Sequence, residues 1–213
     1  MVKEFDAIIF DLDGVICYTD EYHYRAWKAI ADSNGIPFDR TINNRLRGVS
    51  RMASLEIILE KSACLFSEAE KEALATQKNE IYKQLLAEMT PADLPESVKT
   101  TLDALRKKGY RMAIGSSSKN AMFILQQIGL DGYFDAVSDG NNITHSKPDP
   151  EVFLKAAQML HTEPSRCLVV EDAVSGAEAA HRGGMKAACV GDASKEGAGN
   201  WNLNSVEDLL NIL

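Results

Sequence analysis

Short runs of continuously apolar residues alternate along the chain with segments in which apolar residues recur at helical spacing. The continuous runs at 5–10, 111–115 and 167–170 are typical of strands buried on both faces of a parallel sheet. The segment 119–128 carries one apolar face and stops at a glycine, as an amphipathic helix does. Strands that alternate with helices predict right-handed βαβ units, so we expect an α/β fold with a doubly wound parallel sheet. The same pattern predicts strands at 134–137 and 187–190, and helices around 98–105, from 150, at 173–182 and at 206–213.

One long segment departs from this alternation, because its pattern is helical from about residue 20 to residue 88. Ser67 and Glu70 have the spacing of a capping box at the start of a helix. The helices predicted in this segment span 21–33, 52–63 and 67–88.

An all-helical block between the first strand and the rest of a Rossmann-like sheet indicates an inserted domain. We therefore predict an α/β core of residues 1–16 and 89–213, which carries the catalytic groups, and a helical cap domain of residues 17–88. The two places where the chain passes between them are hinge candidates.

Two carboxylates follow the first strand directly. Asp11 and Asp13 are two residues apart, so on an extended chain both side chains point the same way and Leu12 turns into the core. Gly14 then allows the backbone to turn sharply. Acids at the carboxyl end of a central strand lie where open α/β sheets bind ligands. A solvated acidic turn explains the motif, taken alone, equally well.

Three later segments place polar groups at the same edge of the predicted sheet. Ser116 and Ser117 lie between a strand and a helix, which suits phosphate binding, although ordinary N-cap serines have the same pattern. Lys147 lies in a loop stiffened by two prolines and is either a fixed positive charge or a solvated lysine. Glu171 and Asp172 follow a buried strand and offer the hard oxygen ligands that Mg²⁺ takes, or else cap a helix.

Composition limits the classes of function. With 213 residues, 45% of them apolar and 25% charged, the chain is typical of soluble globular proteins. No apolar run approaches the roughly 20 residues of a membrane helix, and the first strand begins too early for a signal peptide, so we expect a cytoplasmic protein without a membrane partner. The net charge of −8 argues against nucleic acid but not against a small anionic substrate.

The four cysteines form no C-x-x-C pair. We predict buried free thiols rather than disulfides or a zinc site for Cys17, Cys64, Cys167 and Cys189. No oligomerisation motif is evident, so a monomer is the default expectation.

Taken in order, the D-x-D strand end, the serine-ended strand, the lysine before a helix and the acid pair resemble the haloacid dehalogenase superfamily of aspartate-nucleophile phosphotransferases. The resemblance covers essentially the whole chain. It implies that Asp11 attacks phosphorus and forms an aspartyl-phosphate, and that Asp13 is the general acid–base. Phosphoryl transfer depends mostly on positioning and charge neutralisation, which a metal ion and a lysine supply.

Short segments of the helical block and the core are similar to the β-phosphoglucomutase family: His23-Tyr24-Arg25-Ala26-Trp27, Arg47-Gly48-Val49-Ser50-Arg51, Gln77-Lys78-Asn79, Thr90-Pro91-Ala92-Asp93 and Ser118-Lys119-Asn120. That family interconverts β-D-glucose 1-phosphate and β-D-glucose 6-phosphate, and glucose 1,6-bisphosphate is its intermediate. The expected partner is therefore a small sugar phosphate, with Mg²⁺ as the cofactor.

This resemblance assigns further roles position by position. The implied Mg²⁺ ligands are Asp11, the main-chain carbonyl of Asp13, Glu171 and Asp172. The transferring phosphate is assigned to Ser116, Ser117 and Lys147, and the distal phosphate to Arg51, Lys119 and Asn120. The sugar is assigned to His23, Trp27, Gly48, Val49, Ser50 and Lys78, and the hinge hydroxyl to Thr19.

Some of these residues have plain structural alternatives. Trp27 also suits the core of the cap, His23 a hydrogen-bonded imidazole, and Lys78 a solvated helical lysine. Two segments depart from the family pattern: Tyr18 replaces an acid beside Thr19, and residues 138–145 have an unusual composition.

Four functions are considered for these residues: a mutase, a phosphatase, a non-catalytic sensor and a dehalogenase. A mutase must bind a second phosphate, and the guanidinium of Arg51 can grip phosphate oxygens in a bidentate way. A sugar-phosphate phosphatase on the same scaffold would let water discharge Asp11 instead. A non-catalytic sugar-phosphate sensor would not need the nucleophile. A dehalogenase would need neither Mg²⁺ nor the acid Asp13.

Overall fold

The structure is a computed structural model that describes residues 3–46, 49–62 and 64–213. The chain divides into two compact units. The first, which we call the sheet unit, comprises Met1–Tyr18 and Thr90–Leu213. The second, the helical unit, is the continuous segment Thr19–Met89. Each unit has its own apolar core and is described separately below.

A parallel sheet of six strands forms the centre of the sheet unit, in the order β3-β2-β1-β4-β5-β6. The strands are β1 (Ala7–Phe10), β2 (Arg111–Gly115), β3 (Ala136–Ser138), β4 (Cys167–Glu171), β5 (Lys186–Cys189) and β6 (Trp201–Asn202). Strand β1 lies in the middle, with Phe10 opposite Ile114 on one side and Val170 on the other. The predicted doubly wound, Rossmann-like α/β fold is therefore confirmed.

The helices follow the chain in two groups. The helical unit contains α1 (Asp20–Ser33), α2 (Arg40–Asn44), α3 (Arg51–Leu59) and α4 (Glu68–Leu86). The sheet unit contains α5 (Glu96–Lys107), α6 (Ala121–Gln127), α7 (Glu151–Met159), α8 (Val174–Arg182), α9 (Gly191–Lys195) and α10 (Leu209–Ile212). Helices α7 and α8 cover the sheet, and Phe153 and Ala177 pack with Ile9 and Val169 in one buried cluster.

The helical unit is organised by α1 and α4, which lie against one another. Its core joins Trp27 and Ile30 of α1 to Leu55 of α3 and Leu74 of α4. The capping box predicted at the start of α4 is confirmed: Ser67 N donates to the Glu70 carboxylate at 2.7 Å, and Ser67 Oγ accepts from Glu70 N at 3.4 Å.

Three short elements were not predicted, namely α2, α9 and β6. Each is five residues or shorter, which is too short for an apolar period to show. Other boundaries differ slightly. The closing helix begins as a 3₁₀ turn at Val206–Asp208, and α7 begins at Glu151, whose N–H donates to Asp149 Oδ1 at 2.9 Å, one residue after the predicted start at Pro150.

All four cysteines are free, as predicted. Cys17, Cys167 and Cys189 are buried, but the prediction of burial is wrong for Cys64, which is exposed. Among the described residues, no helix combines the length and the apolar character needed to cross a membrane.

Candidate active site

The carboxyl ends of β1, β2 and β4 meet at one edge of the sheet, and the predicted core residues follow these strands. Asp11 comes directly after β1, and its backbone N–H donates to Val170 O of β4 at 2.9 Å. Asp11 and Leu12 are buried, whereas Asp13 is partly exposed. A tight turn follows, in which Gly14 N donates to Cys17 O at 2.7 Å.

A buried lysine joins two of these strand ends. Lys147 Nζ donates to Asp11 Oδ1 and, at 2.8 Å, to Glu171 Oε2. The lysine and glutamate side chains are each 2% exposed and the Asp11 side chain is 9% exposed. Lys147 is thus not the solvated loop lysine that the sequence left open, but a cation fixed between two carboxylates.

Asp172 completes a cluster of three carboxylates with Asp11 and Glu171. One oxygen from each residue lies within 4.8 Å of the others. We call these three residues the carboxylate cluster. Three carboxylates and one lysine carry two net negative charges when all are ionised, so the group is not neutral by itself. Hard oxygen donors at this separation are suited to a divalent cation such as Mg²⁺.

Burial and the excess of negative charge together raise the pKa values of two carboxylates in this cluster. Burial raises the pKa of Asp11 to about 7, with a further increase from Glu171 and an opposing effect of Lys147. Burial also raises the pKa of Asp172 to about 8, followed in size by the charges of Glu171 and Asp11. Burial alone would lower the pKa of Lys147, but the two carboxylates outweigh it and raise that pKa. A bound cation would relieve this repulsion.

The loop after β2 contains the two predicted serines. Ser116 is buried, and its Oγ accepts from Ser118 N at 3.1 Å. Ser117 Oγ is buried without a hydrogen-bond partner among the described residues. Helix α6 has Asn120 at its N-cap, so neither Ser116 nor Ser117 is an ordinary cap of that helix. The unpartnered hydroxyl is suited to a ligand oxygen.

The next residues of this loop are held by the segment 138–142, part of the stretch whose composition departs from the family pattern. Lys119 is exposed, whereas Asn120 is buried. Asn141 Nδ2 donates to Lys119 O at 2.9 Å, and Gly140 N donates to Ser118 O at 3.1 Å. The unusual segment therefore supports the serine loop through backbone contacts.

In the helical unit, α1 and α4 bring His23 and Lys78 together. Lys78 is 2% exposed, with its Nζ 2.9 Å from His23 Nδ1 and 4.2 Å from the centre of the Tyr82 ring. The His23 and Tyr82 rings stack with their centres 4.1 Å apart. Burial, and then the charges of Lys78 and Arg51, lower the pKa of His23 well below 6.5, so the imidazole is neutral. Lys78 is therefore not a solvated helical lysine.

The remaining predicted residues of the helical unit are placed as follows. Trp27 is 2% exposed within the apolar core, with Lys78 Nζ 5.2 Å from its ring centre. Arg51 is the first residue of α3, and Ser50 is the N-cap, whose Oγ accepts from Ala53 N at 3.3 Å. Val49 and Ser50 are partly buried, and Thr19, at the start of α1, is buried. Gly48, like Arg47, lies outside the described residues.

One neighbour of the site was not predicted. Phe153, in the first turn of α7, places its ring centre 4.7 Å from Lys147 Nζ, within the range of a cation–π interaction. In the sequence it is one apolar residue on a helix face, and this pattern does not distinguish it from other core residues. Its proximity to Lys147 depends on how the loop before α7 folds.

A buried lysine and clustered acids at the strand ends of a parallel sheet indicate an enzyme site. Comparison with known proteins agrees. The sequence profile of haloacid dehalogenase-like hydrolases matches residues 5–184. The chain therefore belongs to the haloacid dehalogenase-like hydrolase family, as its motifs predicted.

Within this family, the chain is similar to proteins of two activities, mutases and phosphatases. The chain is 43% identical to a β-phosphoglucomutase of Bacillus subtilis (strain 168), over 87% of this chain and 83% of that protein. It superposes on a β-phosphoglucomutase crystal structure from Clostridium difficile with a TM-score of 0.89 and 36% identity, over 96% and 93% of the two chains. A fructose-1-phosphate phosphatase of Escherichia coli (strain K12) is 32% identical, over 88% and 97%. The predicted resemblance to β-phosphoglucomutases is confirmed, and the relatives also include phosphatases.

Proposed function

We propose that this chain is a Mg²⁺-dependent phosphomutase that interconverts β-D-glucose 1-phosphate and β-D-glucose 6-phosphate through glucose 1,6-bisphosphate. The observation that carries the proposal is the buried Lys147 between Asp11 and Glu171, with Asp172 beside them. Phosphoryl transfer requires mainly positioning of the reacting groups and neutralisation of phosphate charge. In this arrangement Asp11 is fixed in place and Lys147 supplies a positive charge beside it. Identity of 43% to a mutase, against 32% to a phosphatase, favours the mutase reaction.

The carboxylate cluster fits the metal ion that this chemistry needs. We assign Mg²⁺ to Asp11, Glu171 and Asp172, together with the main-chain carbonyl of Asp13. The support is the donor set itself, since oxygen ligands and an excess of negative charge suit a hard divalent cation. When bound, the ion neutralises phosphate oxygens that would otherwise repel the attacking carboxylate.

Asp11 is the proposed nucleophile. One of its carboxylate oxygens forms a bond to phosphorus while the bond from phosphorus to the sugar oxygen breaks, which leaves an aspartyl-phosphate. Asp13 donates its proton to the departing sugar oxygen. It later takes a proton from the sugar hydroxyl that attacks the phosphoenzyme. Lys147 and the hydroxyls of Ser116 and Ser117 bind the oxygens of the phosphate in transfer.

A mutase also binds the phosphate that is not being transferred, and we assign Arg51 to it. Arg51 begins a helix, where the partial positive charge of the helix end disfavours a cation, and it is half-buried. A bound phosphate accounts for an arginine in this place better than solvation does. The further proposed ligands of this phosphate are Lys119 and Asn120, and those of the sugar are His23, Trp27, Gly48, Val49, Ser50 and Lys78.

The domain roles belong to the same proposal. We assign catalysis to the core, predicted as residues 1–16 and 89–213, and substrate recognition to the cap, predicted as 17–88, with Thr19 at the hinge. A monomeric state and a cytoplasmic location stay predictions.

Phosphorus NMR tests the reaction. Wild-type protein with Mg²⁺, β-glucose 1-phosphate and a trace of bisphosphate should produce glucose 6-phosphate without free phosphate. Rapid release of inorganic phosphate would instead identify a sugar-phosphate phosphatase, which the 32% identical relative makes the second candidate. Asp11→Asn should abolish both reactions, and turnover by this variant would contradict the nucleophile assignment.

Arg51→Ala tests the second phosphate site. It should lower mutase flux by about 100-fold, equivalent to the roughly 3 kcal/mol of charged hydrogen bonding that a phosphate would lose, while slow hydrolysis of a small phosphate ester is unchanged. Arg45→Ala is the matched control, because Arg45 pairs with Glu60 at 2.8 Å on the surface of the same unit. Equal loss of both activities in Arg51→Ala would contradict the distal role.

A further inference from the structure

Two glycines leave the space that the acid pair Glu171–Asp172 occupies. A Cβ atom built on Gly176 would lie 2.1 Å from Glu171 Cδ and 2.2 Å from its Oε2. A Cβ atom built on Gly14 would lie 2.1 Å from Asp172 Oδ2. Non-bonded heavy atoms approach optimally at about 3.5–4.0 Å, so neither carboxylate could keep its place beside a side chain here.

The reasons for the two glycines differ. Gly14 has a φ of +89°, a conformation that other residues avoid, so its backbone alone explains it. Gly176 is the third residue of α8 and is buried. Glycine is among the poorest helix formers, and alanine at this position would make the helix itself more stable. The space taken by Glu171 is the reason that the structure offers for glycine at position 176.

The Glu171 carboxylate is held in this space on several sides. Its Oε2 accepts from Lys147 Nζ at 2.8 Å, and its Oε1 accepts from Ala173 N at 3.1 Å. The backbone of Gly176, which carries no side chain, borders the carboxylate on another side. A methyl group at that position would meet the far end of a flexible side chain, so the carboxylate would move and the helix would stay.

We propose that Gly176 is a positioning residue for the active site. By carrying no side chain, it allows the Glu171 carboxylate to lie against the first turn of α8, in reach of both Lys147 and the other two carboxylates. The inference rests on the proposed function in one respect, since the cluster is taken to hold Mg²⁺. Gly176 determines where the Glu171 carboxylate points and not whether the chain folds.

The test is Gly176→Ala, with Mg²⁺ affinity measured by titration calorimetry and stability by urea unfolding in chelator. Substitution of a residue that positions a metal ligand weakens metal binding by about 10- to 100-fold, and we expect a loss in this range for Gly176→Ala. In chelator the folded state should be less stable than the wild type, because Glu171 loses its buried partner Lys147, but unfolding should remain cooperative. Gly183→Ala is the matched control at the end of the same helix, because its Cβ would meet Pro150 Cβ at 3.3 Å and no carboxylate.

A double-mutant cycle identifies the route of the effect. In a Glu171→Ala background the space is empty, so Gly176→Ala should cause no further loss of Mg²⁺ affinity. An additional loss of the same size as in the wild type would overturn the inference, as would unchanged affinity in the single variant.

A crystal structure of metal-free Gly176→Ala separates this inference from the proposed function. We expect Glu171 Oε2 to have left Lys147 Nζ, and a distance still near 2.8 Å would overturn the inference. Wild-type protein that binds no Mg²⁺ would contradict the proposed cofactor, while the crystal structure would still decide the role of Gly176.

Discussion

Replacement of Lys147 by methionine removes the only ammonium group within hydrogen-bonding distance of Asp11 and Glu171 among the described residues. Methionine keeps an unbranched side chain of similar length. The two carboxylates, whose side chains are 9% and 2% exposed, would then face each other without a cation. The change therefore isolates the electrostatic contribution of the lysine in a site that has little access to solvent.

The expected loss is large. Removal of one partner from a buried ion pair costs about 3–5 kcal/mol of unfolding free energy, and two carboxylates lose their partner here, so we expect about 4–5 kcal/mol at pH 8 without metal. The loss should be smaller at pH 6. Asp11 has a pKa of about 7 with the lysine in place, and the variant should raise it further. A raised carboxylate pKa gives stability that is lost as pH rises through the folded-state value.

Urea unfolding in chelator at pH 6 and pH 8 measures this loss. The chain has two tryptophans, one in each unit, so Trp201 fluorescence in a Trp27→Phe background reports on the sheet unit alone. Lys155→Met is the control, because Lys155 pairs with Glu151 at 2.7 Å in a far more exposed place and should cost less than about 1 kcal/mol. A Lys147→Met loss no larger than the control's, or equal at both pH values, would refute the electrostatic reasoning.

Three further predictions concern stability, each measured by urea unfolding. His23 is neutral in the folded state, so only the unfolded chain takes up a proton there as pH falls below 6.5, and the free energy of unfolding decreases. His23→Gln should reduce this pH-dependent loss of stability by up to about 1.4 kcal/mol per pH unit. Parallel pH profiles of the wild type and the variant would contradict this prediction. Gly115→Ala would place a Cβ 2.6 Å from the Phe153 ring and should cost about 1–3 kcal/mol through overpacking; a neutral result would show that the ring yields freely. Ser67→Ala removes the hydroxyl half of the α4 capping box and should cost about 1 kcal/mol, whereas an unchanged midpoint would mean that Glu70 alone caps the helix.

The fold was predictable because its strands are buried on both faces. The residues Ala7-Ile8-Ile9-Phe10 are all apolar, and this pattern identifies the central strand without any neighbour. The capping box of α4 was also predictable from local sequence, because its two partners, Ser67 and Glu70, are only three residues apart. Strand β6, with two residues and one of them polar, has no such local signal.

Contacts within the site were predictable only for residues that follow the strands of the sheet. The order of strands brings Asp11, Ser116 and Glu171 to one edge, so their proximity followed from topology. The contact of Lys78 with His23 joins residues 55 positions apart on two helices, and it depends on the rotation of each helix about its axis. Periodicity gives the buried face of a helix but not which two side chains on that face will touch.

The central position of β1 has a consequence for synthesis on the ribosome. Its pairing partners begin at Arg111 and Cys167, so this apolar strand has no neighbour until β2 has been translated and lacks its second neighbour until β4 has been translated. The helical unit, by contrast, is continuous from Thr19 to Met89, so the contacts within it can form before β2 has been made. The nascent chain should thus acquire a folded helical segment first, while the four-residue strand ahead of it waits as a target for chaperones or for wrong pairing.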